Sequence, residues 1–424
     1  MTRFTISGQC LAATSLALVA GLTAATATSQ TQSLQAGPYS ADAIRTWHGV
    51  AAAQLTNPIR QSRVLAMVHA AMHDAVNGAV PVYERYASWL SDGDAHPEAA
   101  AAAAAHRVLV NLFPSNTATF DAQLADSLAG VPDGPAEDAG VALGSAVGDF
   151  IVLFRANDGM DIPDPFSPTP GPGVWEPTPP AFLPAIEPQM ANVTPFTIHS
   201  RDQFLVEPPP GLLTYEYVRD YNEVKALGSD PSTSRTADQT HAAHFWFEPS
   251  NLGWSRIAAI YSLQRGTGLH DTARLFALLN MAMADGYIAG FYWKQTHALW
   301  RPVTAIRKGD TDGNPGTDPD SLWNSLRPTP PSPDYPSTHA VLGSAAAAIL
   351  RHGTGSDRFS FCMTSLSSVP AGSERCFTGF SDAARENAAS RVYIGYHFRF
   401  ATRAGMNLGR QIGNLALRHN LKPL

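Results

Sequence analysis

Five side chains from three separated stretches have the types and order to do chemistry: Lys294 and Arg301 in "KQTHALWRP", His339 in "PSTH", and Arg391 and His397 in "SRVYIGYH". Lys294 and Arg301 stand seven residues apart, two turns of a continuous helix, so the spacing predicts that both cations share one face and grip one anion. A solvated charged face has the same spacing. The neighbouring Phe291, Tyr292, Trp293 and Trp300 argue for burial instead, and a buried cation requires an anionic partner. In the second stretch Pro336 leads into Ser337, Thr338 and His339 at the start of an alanine-rich helix. A helix N-terminus offers unpaired N–H groups and the positive end of the dipole to an oxyanion. The Ser337 hydroxyl and Thr338 amide would hold oxygens there, and His339 would exchange a proton. Alone, Ser337 and Thr338 read equally as a helix cap. Arg391 and His397, six apart, would point to different sides of a continuous helix, but Gly395 permits a break that lets them converge.

The elements that must position these residues are helical. Apolar positions recur with helical period over about 40–55, 60–79, 95–113, 118–129 and 135–155, and strand-like alternation is scarce. Residues 161–195 are so rich in proline that neither helix nor central strand fits, and "VEPPPG" adds a second cluster. Helical character returns near Ser234, with three helices up to Trp300 and further ones near 337–350, 379–391 and 397–418. The expected organisation is a signal peptide at 1–27, a helical region at 28–160, a proline-rich loop or linker at 161–232 and a helical catalytic core at 233–424.

In order and in spacing, "KQTHALWRP", "PSTH" and "SRVYIGYH" resemble the three-part signature of the type 2 phosphatidic acid phosphatase and vanadium-dependent haloperoxidase superfamily. "SRVLAMVHAAMHDAVN" is similar to its exported bacterial haloperoxidase-like branch. The resemblance implies an all-α fold of helical bundles with a C-terminal four-helix core around the anion. It implies that Lys294, Arg301 and Arg391 neutralise the oxygens of vanadate or phosphate, helped by Ser337 and the Thr338 backbone. His339 would be the acid–base residue, and His397 the apical vanadate ligand or, in a phosphatase, the nucleophile. Vanadate is the implied cofactor, with hydrogen peroxide and halide as substrates. The alternatives are a periplasmic phosphomonoesterase, which uses a phospho-histidine and needs no cofactor, and a non-catalytic oxyanion-binding protein. Two positions depart from the pattern: Thr338 stands for a glycine, its side chain narrowing the pocket, and Ala401 stands for an aspartate that would orient His397. Phe291 and Ser332 are a third departure, standing where haloperoxidases carry other residues lining the halide pocket, so the resemblance implies no halide preference; His297, one turn beyond Lys294, would stand behind the ligands.

Among 424 residues, 44% are hydrophobic, enough for a substantial core. With 29 Lys and Arg against 36 Asp and Glu, the net charge of −7 argues against nucleic acid or an anionic membrane as partner. The N-terminal apolar run with Ala25-Thr26-Ala27 reads as a cleaved signal, placing the protein in the periplasm or outside the cell. Cys362 and Cys376 would then pair in an oxidising compartment. The run from Leu275 to Trp293 contains Asn280 and Asp285 and reads as a core helix, so no membrane insertion is expected after cleavage. Homo-oligomerisation stays open. His69 and His73 are spaced four apart without the glutamate of a zinc protease motif and read as helix packing, as do His241 and His244. Asp285 falls on the face opposite Lys294 and should answer a buried partner elsewhere.

Overall fold

The computed structural model describes residues 39–353 and 355–424, so the signal-peptide reading of 1–27 lies outside the described residues. The N-terminal half folds into α1 (Asp42–Ala52), α2 (Pro58–Ala79), α3 (Pro97–Leu112), α4 (Thr117–Leu128) and α5 (Pro135–Phe154). Each start is legible in the chain. Asn57 caps α2 by accepting from the Ile59 N–H, and prolines at 58, 97 and 135 occupy first-turn positions where no N–H is needed. α5 lies close along the alanine face of α3: a Cβ at Gly144 would come within 2.2 Å of the Ala100 carbonyl oxygen.

Next come α6 (Tyr215–Leu227), α7 (Ala237–Phe245), α8 (Ser250–Arg265), α9 (Leu269–His297) and α10 (Pro302–Arg307), then α11 (Thr338–Gly353). A hairpin of β1 (Arg358–Thr364) and β2 (Glu374–Gly379) precedes α12 (Phe380–Tyr393) and α13 (Arg399–His419). The all-α class holds, with two local corrections. Residues 215–227, expected inside a proline-rich loop, form α6, because Thr214 caps it and no proline interrupts it. "RFSFCMT" alternates buried and exposed residues as β1, and Cys362 faces Cys376 across the ladder, joined by a disulfide.

Helix α9 is the axis of the molecule. It is long and apolar enough to cross a membrane, but its apolar window is 94% buried inside the chain. α2 packs along it from the N-terminal half, and α11 and α13 pack on it from the C-terminal bundle, with α12 against α11. α13 approaches α11 closely: a Cβ at Gly409 would sit 2.0 Å from the Val341 carbonyl oxygen, and one at Gly405 would sit 2.4 Å from that of Ser337. Small residues here set the first turn of α11 directly against α13. Asp285 on α9 accepts from Phe196 N, Thr197 N and Ile198 N, which fixes the chain after the proline-rich stretch.

Candidate active site

The first stretch places its two cations differently from the helical-spacing argument. α9 stops at His297, and Ala298 turns left-handed at φ 44°. Arg301 is extended and sits at the N-cap of α10, so the two cations converge because the helix breaks, not because it continues. The break is held by the proline-rich segment: Trp175 N donates to Ala298 O at 2.6 Å, and Trp300 N to Gly173 O at 2.9 Å. Ile186 N likewise donates to Pro331 O, beside Ser332. The segment is therefore bonded onto the loops that carry the site.

Backbone bonds then join the three stretches. Asp334 N donates to Leu299 O at 2.9 Å, linking the second to the first, and Ser337 N donates to Ala401 O at 3.0 Å, linking it to the third. Arg301 Nη1 donates to Tyr396 O at 3.0 Å, closing the ring. Gly395 has φ 84°, and beyond it the backbone N–H groups of Tyr396 and His397 both turn back to Arg391 O. This break brings His397 round to Arg391. A Cβ at Gly395 would lie 2.6 Å from Gly228 O, so the turn has no room for a side chain.

The five residues do meet. His397 is buried, and burial first, then the charges of Arg301, Lys294 and Arg391, hold it well below the usual imidazole range. His339 is depressed by burial and by the same three cations. Lys294 donates to the carbonyls of Pro333 and Asp334, and burial together with Arg301 pushes its ammonium well below its ordinary value. Arg301 donates from Nε to Ser332 O at 2.6 Å and from Nη2 to Ser332 Oγ at 3.0 Å, and Nη1 lies 3.0 Å from His397 Nε2. Arg391 donates from Nε to Ser390 Oγ, while Nη1 and Nη2 are buried without a hydrogen-bond partner. Burial lowers Arg301 and Arg391 alike to about 10. The Ser337 hydroxyl is also buried and unpartnered. Such groups are costly unless something answers them.

Of the other expected residues, Ser332 belongs to the cluster through Arg301. His297 does not: its Nε2 faces Val206 O at 3.1 Å and its ring stacks on Trp293. Phe291 packs its ring against Tyr287. Thr338 turns its γ-methyl to Gly290 on α9, where a Cβ would come within 2.9 Å of it, so the bare glycine makes room for the extra methyl. His73 faces Glu84 O, and His69 pairs with His48 at 3.0 Å; both are packing residues of the N-terminal half. His241 contacts Ser373 and Arg375, and His244 contacts Arg327.

One member of the cluster was missed. Asp334 is fully buried, with Oδ1 2.8 Å from His397 Nδ1 and 3.9 Å from Arg301 Nη1, and burial pushes its carboxyl up to about 7 against the pull of Arg301 and Lys294. It lies in "PDYPSTH", three residues before Ser337, in a loop whose course the sequence does not reveal. Ala401 brings no carboxylate to His397; Asp334, from the second stretch, does.

The model of the VCPO second helical-bundle domain matches residues 274–424, the span that contains all three stretches. Over this span the chain is similar to the vanadium haloperoxidases. It is 27% identical over 379 residues to the vanadium chloroperoxidase of Curvularia inaequalis, an alignment covering 70% of this chain and 61% of that relative's length. Its fold matches the first bacterial vanadium-dependent iodoperoxidase structure with a TM-score of 0.76, at 25% identity over 91% of this chain and 98% of that one. The holo-type bacterial vanadium-dependent chloroperoxidase shares the fold at a TM-score of 0.67 and 19% identity, over 86% of this chain and 92% of that one.

Proposed function

We propose that this chain is a vanadate-dependent haloperoxidase that oxidises halide with hydrogen peroxide at the Lys294, Arg301, Ser337, Arg391 and His397 cluster. The observation that carries the reading is the set of buried donors left without partners, Nη1 and Nη2 of Arg391 and Oγ of Ser337, beside two further cations and an imidazole. That donor set fits a tetrahedral oxyanion able to accept a fifth ligand. Lys294, Arg301 and Arg391 would neutralise the vanadate oxygens, Ser337 and the Thr338 amide would donate to them, and His397 would ligate the vanadium. Bound vanadate supplies Lewis acidity that activates peroxide toward halide without changing its own oxidation state.

The chain's own residues do the remaining work. His339 Nε2 faces the Glu248 carbonyl at 3.3 Å, so the ring carries its proton there and leaves Nδ1 as the acceptor. Kept neutral by burial and by three cations, it is ready to take a proton from incoming hydrogen peroxide and return it to the leaving oxygen. Lys294 presents its N–H donors inside a desolvated pocket, where a hydrogen bond to a developing negative charge is stronger than in water. The Cys362–Cys376 disulfide supports a site of action outside the reducing cytosol.

The test sets two assays side by side: bromination of a dye by the orthovanadate-loaded protein with peroxide and bromide, and hydrolysis of an aryl phosphate by the vanadate-free protein. Halogenation with slow ester hydrolysis is expected. Fast hydrolysis without halogenation would make His397 the nucleophile of a phosphatase, and oxyanion binding with neither activity would make the protein a binder.

A further inference from the structure

We infer that Asp334 is the positioning residue for His397, fixing the imidazole in the tautomer whose Nε2 lone pair faces the oxyanion. The inference rests on the function proposed above for its ligand, and on geometry for the tautomer. Two neighbours press on the ring. Arg301 Nη1 stands nearer to Nε2, at 3.0 Å, than to Nδ1, at 3.5 Å, and a guanidinium has donors and no acceptor, so a lone pair at Nε2 suits it. Asp334 Oδ1 stands 2.8 Å from Nδ1, and as a carboxylate it accepts, which suits a proton at Nδ1. Both contacts favour the same tautomer.

The carboxylate has few alternatives. Asp334 is fully buried, neither of its oxygens has an aligned side-chain hydrogen bond, and Arg301 lies farther away than His397 does. Its backbone is held on both sides of the site, with N–H bonded to Leu299 O and the carbonyl accepting from Lys294 Nζ at 3.0 Å. The side chain therefore comes from a fixed strut between the first and second stretches. A carboxylate behind a ligating histidine holds the ring orientation and raises the basicity of the ligating nitrogen.

Charge and tautomer make opposite predictions for two anions, which separates this role from a merely structural or electrostatic one. Phosphate needs the cations but no bond from His397, so removing the Asp334 charge leaves its affinity unchanged or tighter. Vanadate needs the Nε2 lone pair. Asp334→Ala is expected to weaken vanadate binding about 10- to 100-fold, the usual effect of losing a carboxylate behind a ligating histidine, while phosphate affinity stays within about threefold or improves. Asp334→Asn keeps an acceptor for the Nδ1 proton, and it should retain most of the vanadate affinity.

Equilibrium dialysis with each anion reads both constants, and retained phosphate binding reports that the cluster is folded. Histidine-selective ¹⁵N spectra of the vanadate-free protein, assigned with His397→Ala, read the tautomer directly. Wild type and Asp334→Asn should show the Nδ1–H form of His397, and Asp334→Ala should not. The inference is overturned if Asp334→Ala keeps that form, or if vanadate and phosphate affinities fall together. A wild-type protein that holds no vanadate would sink the proposed function while leaving the spectra to decide the tautomer.

Discussion

Arg391 should be the residue at which function and stability part most clearly, and Arg391→Met is the perturbation that shows it. Its guanidinium is buried with the Tyr396 ring 5.9 Å away, no carboxylate among the described residues lies within ion-pair distance, and Nη1 and Nη2 have no hydrogen-bond partner. Burial drops its pKa from 12.5 to about 10. At about 1.4 kcal/mol per pH unit, the charge costs the empty fold about 3 kcal/mol at neutral pH. The sign is set by the direction of the shift. A base depressed in the fold loses its proton before the unfolded chain does, so the cost is present in full below pH 10 and disappears only above 12.5. A neutral methionine of similar length removes it, offset partly by imperfect packing, so the anion-free variant should melt about 2–5 °C higher. The same change removes two charge-assisted hydrogen bonds to an oxyanion, each about 1.5–3 kcal/mol, which predicts at least a 100-fold loss of phosphate and vanadate affinity. Scanning fluorimetry without anion and equilibrium dialysis with each anion measure the two effects. A variant that melts lower than wild type while binding phosphate as tightly would refute the view that Arg391 is an unanswered cation awaiting its ligand.

At Gly290, a Cβ would push on the Thr338 methyl at 2.9 Å. Gly290→Ala should cost about 1–3 kcal/mol and lower oxyanion affinity, and adding Thr338→Gly should restore much of both in a double-mutant cycle. The pH dependence of stability has its own sign. Burial lowers His48 and His73 to about 4, so the unfolded chain takes up protons near pH 6.5 that the fold refuses, and stability falls as pH drops from 6.5 toward 4. Each contributes about 3 kcal/mol by pH 4. Asp74, raised by burial to about 6, works in the opposite direction. Denaturant titrations across that range should show a stability slope that shallows by about one proton in His73→Phe; an unchanged slope would assign the loss elsewhere.

The helices were legible because their signals are local. Prolines at 58, 97, 135 and 302 stand in the first turns of their helices, and small residues repeat every four positions on α13 at Gly405, Gly409 and Gly413. The grouping of Lys294, Arg301, His339, Arg391 and His397 was expected from the three-part resemblance, but for Lys294 and Arg301 the geometric reason was not legible. Seven residues on a helix would have sufficed, yet the chain breaks at Ala298 and is held open by Gly173 and Trp175, more than a hundred residues upstream. Asp334 was invisible for the same reason. An aspartate among prolines reads as a turn residue, and only the Asp334–Leu299 backbone bond aims its side chain at His397. The Thr338 and Gly290 fit likewise depends on two helices being side by side, which no periodicity within either helix encodes.

These long-range contacts explain how a core can tolerate three desolvated cations. Lys294, Arg301 and Arg391 would each move toward water if the backbone allowed it, but the segments carrying them are bonded to one another through Leu299, Tyr396 and Ala401. Displacing one segment breaks bonds in the other two. The cost of the cations is therefore spread over a cooperative unit that includes the proline-rich segment, and under the proposed function it would be recovered on oxyanion binding. Donors held in place by such a unit need not reorganise when charge develops, which is the property electrostatic catalysis requires. By this argument the stretch between 161 and 195 helps to shape the cluster, since Gly173 and Trp175 bond to the break at Ala298 that delivers Arg301.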